Sequence, residues 1–300
     1  MKWIIKNPSP TDYRQNKWGD YHIGRCLTKY LTRLGEKVET DYYTDWYNKK
    51  KSDVVLVLRG KYPYKPNKNS SINIMWNFGH PEDVTKKEYE AYDIILIASK
   101  HYSSILKKQL NKPVFPFLLC TDHEEFYNKN TDLERKGFIF VGNTRGVKRD
   151  CVLWAIEYKL PLKVWGRGWE KFIDKKYIVD EYIANEKLVN LYSKAKVTLN
   201  NHWPDMLEYG FINNRVFDAL ACGLPVISDY SEELYNLFPK EILYYNNKKE
   251  FKKCIDEINL NYPSVIEKVN RASEIIINEY TYEKRATKLI QLVKNFKINN

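Results

Sequence analysis

Within YGFINNRVFDALACGLPVISD, residues 209–229, Asn214, Arg215 and Asp218 fall on one side of an expected helix. At about 100° per residue, Val216, Phe217, Leu220 and Ala221 form the opposite, apolar side. Ala219 and Cys222 lie beside the polar residues and leave space next to them. On an exposed helix face, Arg215 and Asp218 would pair at i, i+3, a contribution of about 0.2–0.5 kcal/mol. The small neighbours leave a second reading open, in which the polar face meets a ligand.

A second group of charged residues points to anion chemistry. Arg145, Lys148 and Arg149 surround the expected start of a helix, just after the apolar run GFIFVGN at 137–143. A helix amino terminus favours anions through its free N–H groups and its dipole, and guanidinium groups grip phosphate oxygens in pairs. That combination suits a diphosphate. No Walker A sequence is present and no GxGxxG follows a strand, which disfavours P-loop phosphoryl transfer and ordinary dinucleotide binding.

The elements that must hold these residues alternate. Strand-like runs at 3–6, 37–40, 53–58, 72–76, 93–99 and 113–119 are short and β-branched. Amphipathic stretches at 19–35 and 99–110 lie among them, the first closed by Gly35. The polar segment 121–136 is the expected linker. The pattern then restarts with strands at 137–143, 162–166, 195–200, 225–229 and 242–245, a helix at 147–159, and closing helices at 262–279 and 282–297. Such βαβ alternation predicts an α/β protein of two doubly wound domains with parallel sheets covered on both faces.

In such sheets ligands bind at the carboxyl ends of the strands. That rule selects Asn7-Pro8, Arg59-Gly60, Asn77-Phe78-Gly79-His80, Gly142-Asn143-Thr144-Arg145, Gly166-Arg167-Gly168-Trp169 and Asn200-Asn201-His202.

Composition narrows the class. A 300-residue chain with 43% hydrophobic and 29% charged residues can bury two cores, and no run of eighteen apolar residues is present. The start, MKWIIKNPSPTDYRQ, has too short an apolar stretch for a secretion signal, so a cytoplasmic protein is expected. Cys26, Cys120, Cys151, Cys222 and Cys254 form no CxxC and no metal-type pairing with histidine, which fits reduced thiols and no metal site. The formal charge of +11 favours anionic partners, including an anionic membrane face. Lysines are spread rather than blocked, so no nucleic-acid partner is expected.

FVGNTRGVKRD, LPLKVWGRGWE and EYIANEKLVNLYSKAKVTLNNHWPDMLEYGFINNRVFDALACGLPVISD closely resemble glycosyltransferases of the spore-maturation-protein (CgeB-like) type, relatives of the group-1 glycosyltransferases. The resemblance is strong over about 137–230 and softer in WGDYHIGRCLTKYLTRLGEKV, IMWNFGHPEDVTKKEYEAYDIILIAS and LLCTDHEEF. It implies a GT-B fold, with two Rossmann-like doubly wound domains facing a central cleft. Residues 1–125 would form the acceptor-side domain and 126–280 the nucleotide-sugar-binding domain, with a last helix, 281–300, crossing back to the first.

The implied activity is metal-independent transfer of a sugar from a nucleotide diphosphate donor to a glycan, lipid-linked or protein acceptor. A UDP- or GDP-sugar is the expected co-substrate, and no cofactor is required. A cytoplasmic enzyme is implied, with peripheral contact at the inner membrane face where lipid-linked acceptors lie. Donor contacts fall to Gly142, Asn143, Arg145, Lys148, Arg149, Gly166, Asn213, Asn214, Arg215 and Asp218. Asp218 stands where relatives place a Glu on the ribose hydroxyls, and a carboxylate ionised at pH 7 accepts from both.

A second family Glu, eight residues earlier, is replaced by Gly210, with Glu208 as the nearest substitute. That departure leaves retaining and inverting chemistry both open. Asp20 or His22 is the catalytic candidate, as general base or as a group that orients the acceptor. The alternative is that Asp20 only caps its helix. His80, His202 and Glu208 are the candidates for sugar or acceptor contacts. Other functions compatible with the fold are a nucleotide-sugar epimerase and a non-catalytic glycan- or nucleotide-binding protein. A nucleic-acid binder ranks third and would show steep salt dependence.

Overall fold

The computed structural model describes residues 1–48, 50–67, 71–129 and 134–299. The chain divides into two compact units. The first comprises Met1–Cys120, Trp203–Ile212 and Tyr280–Asn300, and the second Thr121–His202 and Asn213–Glu279.

The first unit contains β1 (Lys2–Asn7), α1 (Gly19–Arg33), β2 (Lys37–Tyr42), β3 (Val54–Arg59), β4 (Ile72–Asn77), α2 (Lys86–Glu90), β5 (Ile94–Ile97), α3 (Lys100–Gln109) and β6 (Val114–Pro116). Its sheet is parallel, in the order β2-β1-β3-β4-β5-β6. The all-buried run VVLVLR of β3 is what a central strand covered on both faces requires.

The second unit contains β7 (Lys136–Val141), α4 (Asp150–Glu157), β8 (Leu162–Trp165), β9 (Ile178–Asp180), α5 (Asn185–Lys194) and β10 (Ala195–Asn200). After α6 (Pro204–Glu208), which belongs to the first unit, come α7 (Asn214–Ala221), β11 (Val226–Asp229), α8 (Glu232–Leu237), β12 (Leu243–Tyr245), α9 (Lys248–Leu260) and α10 (Tyr262–Glu279). This sheet is also parallel, in the order β12-β11-β10-β7-β8-β9. The closing helix α11 (Tyr282–Asn299) packs on α1 in the first unit. There Arg285 donates from Nε to the Leu118 carbonyl at 2.7 Å and lies over the Phe117 ring.

Two sheets of six parallel strands with flanking helices match the expected α/β architecture. The edge strand β9 and the helices α5 and α9 were not anticipated, and the helix expected at 147–159 is limited to 150–157. The expected linker at 121–136 packs at its start, where Thr121, Asp122 and Phe126 are buried, while 130–133 lie outside the described residues. Residues 203–212 return to the first unit, where Ser99 Oγ donates to the Tyr209 carbonyl at 2.6 Å and Tyr102 packs against Tyr209 and Phe211. Among the described residues no helix is long and apolar enough to cross a membrane.

Candidate functional site

In the second sheet the chain runs outward from β7 to β9 and then returns to β10 on the other side of β7. The strand order therefore reverses between β7 and β10, and ligands of open α/β sheets bind in the crevice at such a point. Gly142 follows β7 there, and Asn200 ends β10.

Two glycines at this point stand in close contact with their neighbours. A Cβ on Gly142 would stand 2.5 Å from Arg215 Nη2. Gly166 has φ +141, and a Cβ there would stand 2.1 Å from the Gly142 carbonyl oxygen. Gly166 needs glycine for this backbone approach, and a side chain on Gly142 would have to displace the Arg215 guanidinium. Asn143 Oδ1 accepts from the Arg167 N–H at 2.8 Å, so this exposed side chain ties the loop after β7 to the loop after β8.

Arg215 reaches back from α7 to lie 4.9 Å over the Phe140 ring and donates to Asn200 Oδ1 at 3.1 Å. Asn213 occupies the cap position of α7 but caps nothing; its amide donates to Asn200 Oδ1 at 2.7 Å instead. The first turn of α7 thus carries no side-chain cap, and Asn213 Oδ1 and Asn214 Oδ1 are buried without a hydrogen-bond partner.

Arg149 is only 4% exposed. It donates from Nη1 to Asn201 Oδ1 at 3.1 Å and to the His202 carbonyl at 3.3 Å. Burial, reinforced by the charges of Arg215 and Arg145, pushes its pKa down to about 10. Arg145, at φ +50, and Lys148 are exposed. A buried guanidinium repelled by two others, beside an uncapped helix start, is an environment in which an anion lowers the energy.

Asp218 departs from the exposed-pair reading. It is 6% exposed, so the exposed i, i+3 pair with Arg215 does not form. Its Oδ1 accepts from Thr121 Oγ1 and its Oδ2 from Asn214 Nδ2, each at 2.7 Å. Burial raises its pKa to about 7, against the lowering effect of those two hydrogen bonds, so the expected fully ionised carboxylate instead titrates around neutrality. Each oxygen keeps a further lone pair for a ligand hydroxyl.

A folded-state pKa above the ordinary carboxylate value means that the native state holds the extra proton. Asp218 therefore lowers stability as pH rises from about 4 to about 7, and adds no further slope above that. Asp218→Asn should remove this slope, which urea unfolding across that range measures. If Asp218 holds ribose hydroxyls, the same substitution should weaken nucleotide binding by about ten- to hundredfold at about pH 8. The difference should narrow at about pH 6, where the wild-type carboxyl is largely protonated. Equal affinities at both pH values would leave Asp218 as a structural group.

The other sequence candidates lie in the first unit. Its sheet reverses order between β1 and β3. There the Asn7 amide donates to the Asp20 carbonyl at 2.8 Å, and a Cβ on Gly60 would stand 2.2 Å from Asp20 Oδ1. Trp18, not Asp20, takes the cap position of α1, so Asp20 is a first-turn acid at the reversal point rather than a cap. His22 Nε2 is bound to the Asn16 carbonyl at 2.8 Å, which weakens its case as a base. His80 adopts φ +53 and lies 3.6 Å from Asp83, and Glu208 is an exposed residue ending α6. His202 belongs to the second unit and is bound to Asp229. Thr121 and Asp229, which hydrogen-bond the candidates Asp218 and His202, were missed by sequence reasoning. Asp229 ends a strand and could have been found by the strand-end rule, whereas Thr121 carried no signal within the expected linker.

Residues 149–291 match the family described as Glycosyl transferase-like. A search of curated proteins returns no match. Among solved structures, the sucrose-phosphate synthase of Thermosynechococcus elongatus is similar at 11% identity over 100% of both chains, with a TM-score of 0.72. An alpha-glucosyltransferase in complex with UDP and a 13-mer DNA gives 11% identity over 98% of this chain and 100% of that one, with a TM-score of 0.73. The T4 phage BGT in complex with UDP and Mn2+ gives 13% identity over 99% of each chain, with a TM-score of 0.63. These likenesses establish the two-unit Rossmann-like fold, and the family match supplies the chemistry over 149–291. With that sequence on that fold, the chain is a glycosyltransferase of the GT-B fold.

Proposed function

We propose that the chain transfers a sugar from a nucleoside diphosphate donor to a hydroxyl of a glycan, lipid-linked or protein acceptor, without a divalent metal. The observation that carries this reading is the buried Arg149. Its pKa is pushed down by burial and by Arg215 and Arg145, beside the uncapped start of α7. A diphosphate there would relieve the repulsion and receive hydrogen bonds from guanidinium and backbone groups. Two similar structures hold UDP, which supports a UDP-linked donor here, with a GDP-linked sugar as the other expected form.

In the reaction, the bond from the anomeric carbon to the phosphate oxygen breaks and its electron pair leaves with the diphosphate. Arg149, Arg215 and the α7 start stabilise that developing charge. The acceptor oxygen forms the new bond and its proton passes to Asp20. Asp218 accepts from the ribose hydroxyls, and the exposed Arg145 and Lys148 extend the positive field. Peripheral contact with an anionic membrane face is compatible with the charge of +11.

Incubating purified protein with radiolabelled UDP- and GDP-sugars and following labelled product or released nucleotide tests the reading. A nucleoside diphosphate at 100 times its dissociation constant should also stabilise the fold by about 2.7 kcal/mol. The proposed role of the cations makes nucleotide affinity independent of EDTA. Loss of UDP or GDP binding on chelation, restored by Mg²⁺ or Mn²⁺, would replace this account of the diphosphate site.

A further inference from the structure

Hydrogen bonds run in an unbroken series from the start of α7 to the imidazole of His202. Asn213 Nδ2 and Arg215 Nη1 both donate to Asn200 Oδ1. Asn200 Nδ2 donates to Ser228 Oγ at 2.8 Å, and Ser228 donates to Asp229 Oδ1 at 3.1 Å. Asp229 then takes the His202 backbone N–H on Oδ2 and the ring Nδ1 on Oδ1, each at 2.7 Å. Burial raises the pKa of the Asp229 carboxyl, but the charge and hydrogen bonds of His202 outweigh it and the net shift is downward. With an ionised carboxylate as its partner, Nδ1 carries a proton.

The other ring nitrogen has no such explanation. The His202 side chain is 0% exposed, yet Nε2 is without a hydrogen-bond partner. A buried polar atom left unpaired is costly, and five polar side chains are arranged here to fix the ring that carries it. The surroundings define the missing partner. Arg149 donates to the carbonyl of His202 itself and to the neighbouring Asn201, so the buried guanidinium is held against the loop that carries the ring.

We propose that His202 is a ligand of the donor diphosphate. With its Nδ1 held by Asp229, the ring presents Nε2 for a hydrogen bond with a phosphate oxygen beside Arg149. The sequence alone placed His202 among sugar or acceptor contacts, and this assignment moves it to the leaving group. It rests on the donor reading above. No bond to the ring is made or broken; Asp229 is a positioning residue that acts through His202.

Two substitutions separate the ring nitrogens. His202→Asn places an amide near Nδ1, keeping a donor to Asp229 and removing Nε2. His202→Gln reaches the Nε2 position and gives up the bond to Asp229. Calorimetric binding of UDP, GDP, UMP, GMP, UDP-glucose and inorganic pyrophosphate, with melting temperatures alongside, reads the outcome. The Asn variant should bind the nucleoside diphosphate and pyrophosphate about tenfold more weakly, with a smaller change for the monophosphate. The Gln variant should stay within about threefold of wild type.

The reverse order, with Asn near wild type and Gln weak, would mean that the ring serves only Asp229 and would overturn the proposal. Should the Asn variant not fold, a tenfold loss in the Gln variant overturns it equally. A loss seen with UDP-glucose but not with UDP would give Nε2 to a sugar hydroxyl and also overturn it. Wild-type protein that binds no nucleoside diphosphate would remove the donor reading, and this inference with it. Wild-type binding with both variants unchanged would remove only the role of His202.

Discussion

Replacing Arg149 by alanine should lower the rate of sugar transfer by about 10²–10³-fold, the usual loss when one preorganised donor to a developing negative charge is removed. The magnitude follows from burial. At 4% exposure the guanidinium is poorly reached by water, so its charge acts on a phosphate with little screening. A purely structural Arg149 would predict something else: truncation frees Asn201 Oδ1 and the His202 carbonyl, the melting temperature falls, and the folded fraction turns over normally. Arg149→Lys keeps the charge but cannot reproduce the planar set of donors, and should fall between wild type and alanine. Turnover per folded molecule within a factor of a few of wild type in the alanine variant would remove Arg149 from the diphosphate site.

Asp20→Asn should cost about 10²–10⁴ in turnover, the range for loss of a general base, while nucleotide affinity stays near wild type because Asp20 lies in the first unit and the proposed nucleotide contacts in the second. Without a catalytic role, Asp20 is a first-turn acid of α1 and its neutralisation costs only about 0.3–1 kcal/mol of stability. Gly60→Ala offers a check that leaves the carboxyl in place. The added Cβ would stand 2.2 Å from Asp20 Oδ1 and must displace it. A general base moved off its position should lose rate in this variant as well. Wild-type turnover in both variants would clear Asp20 of any part in the chemistry.

The parts of the fold that follow from local pattern were legible in the sequence. The run VVLVLR announced a strand buried on both faces, and the apolar side of α7 was correctly placed on Val216, Phe217, Leu220 and Ala221. The rule that ligands meet the carboxyl ends of parallel strands selected Gly142, Gly166, Asn200 and His202 before any contact was known. Elements with weaker signals were missed. The three-residue edge strand β9 pairs with β8 and is too short for alternation to show. Residues 203–212 leave their sequence neighbours for the first unit, which no local composition indicates.

The chemistry of individual groups was decided elsewhere. The sequence determined that Asp218 would stand on α7 one turn from Asn214, because helix geometry alone fixes that spacing. It could not determine that Thr121, 97 residues away, would donate to the same carboxyl, or that packing would leave it 6% exposed and raise its pKa to about 7. Likewise, His202 just beyond β10 and Asp229 at the end of β11 are separate in sequence and become a pair only because those two strands lie side by side. Periodicity and capping are properties of neighbouring residues and can be read along the chain. The loss of water around a charged group depends on every element that closes over it, and that is fixed only when the sheets and helices have packed.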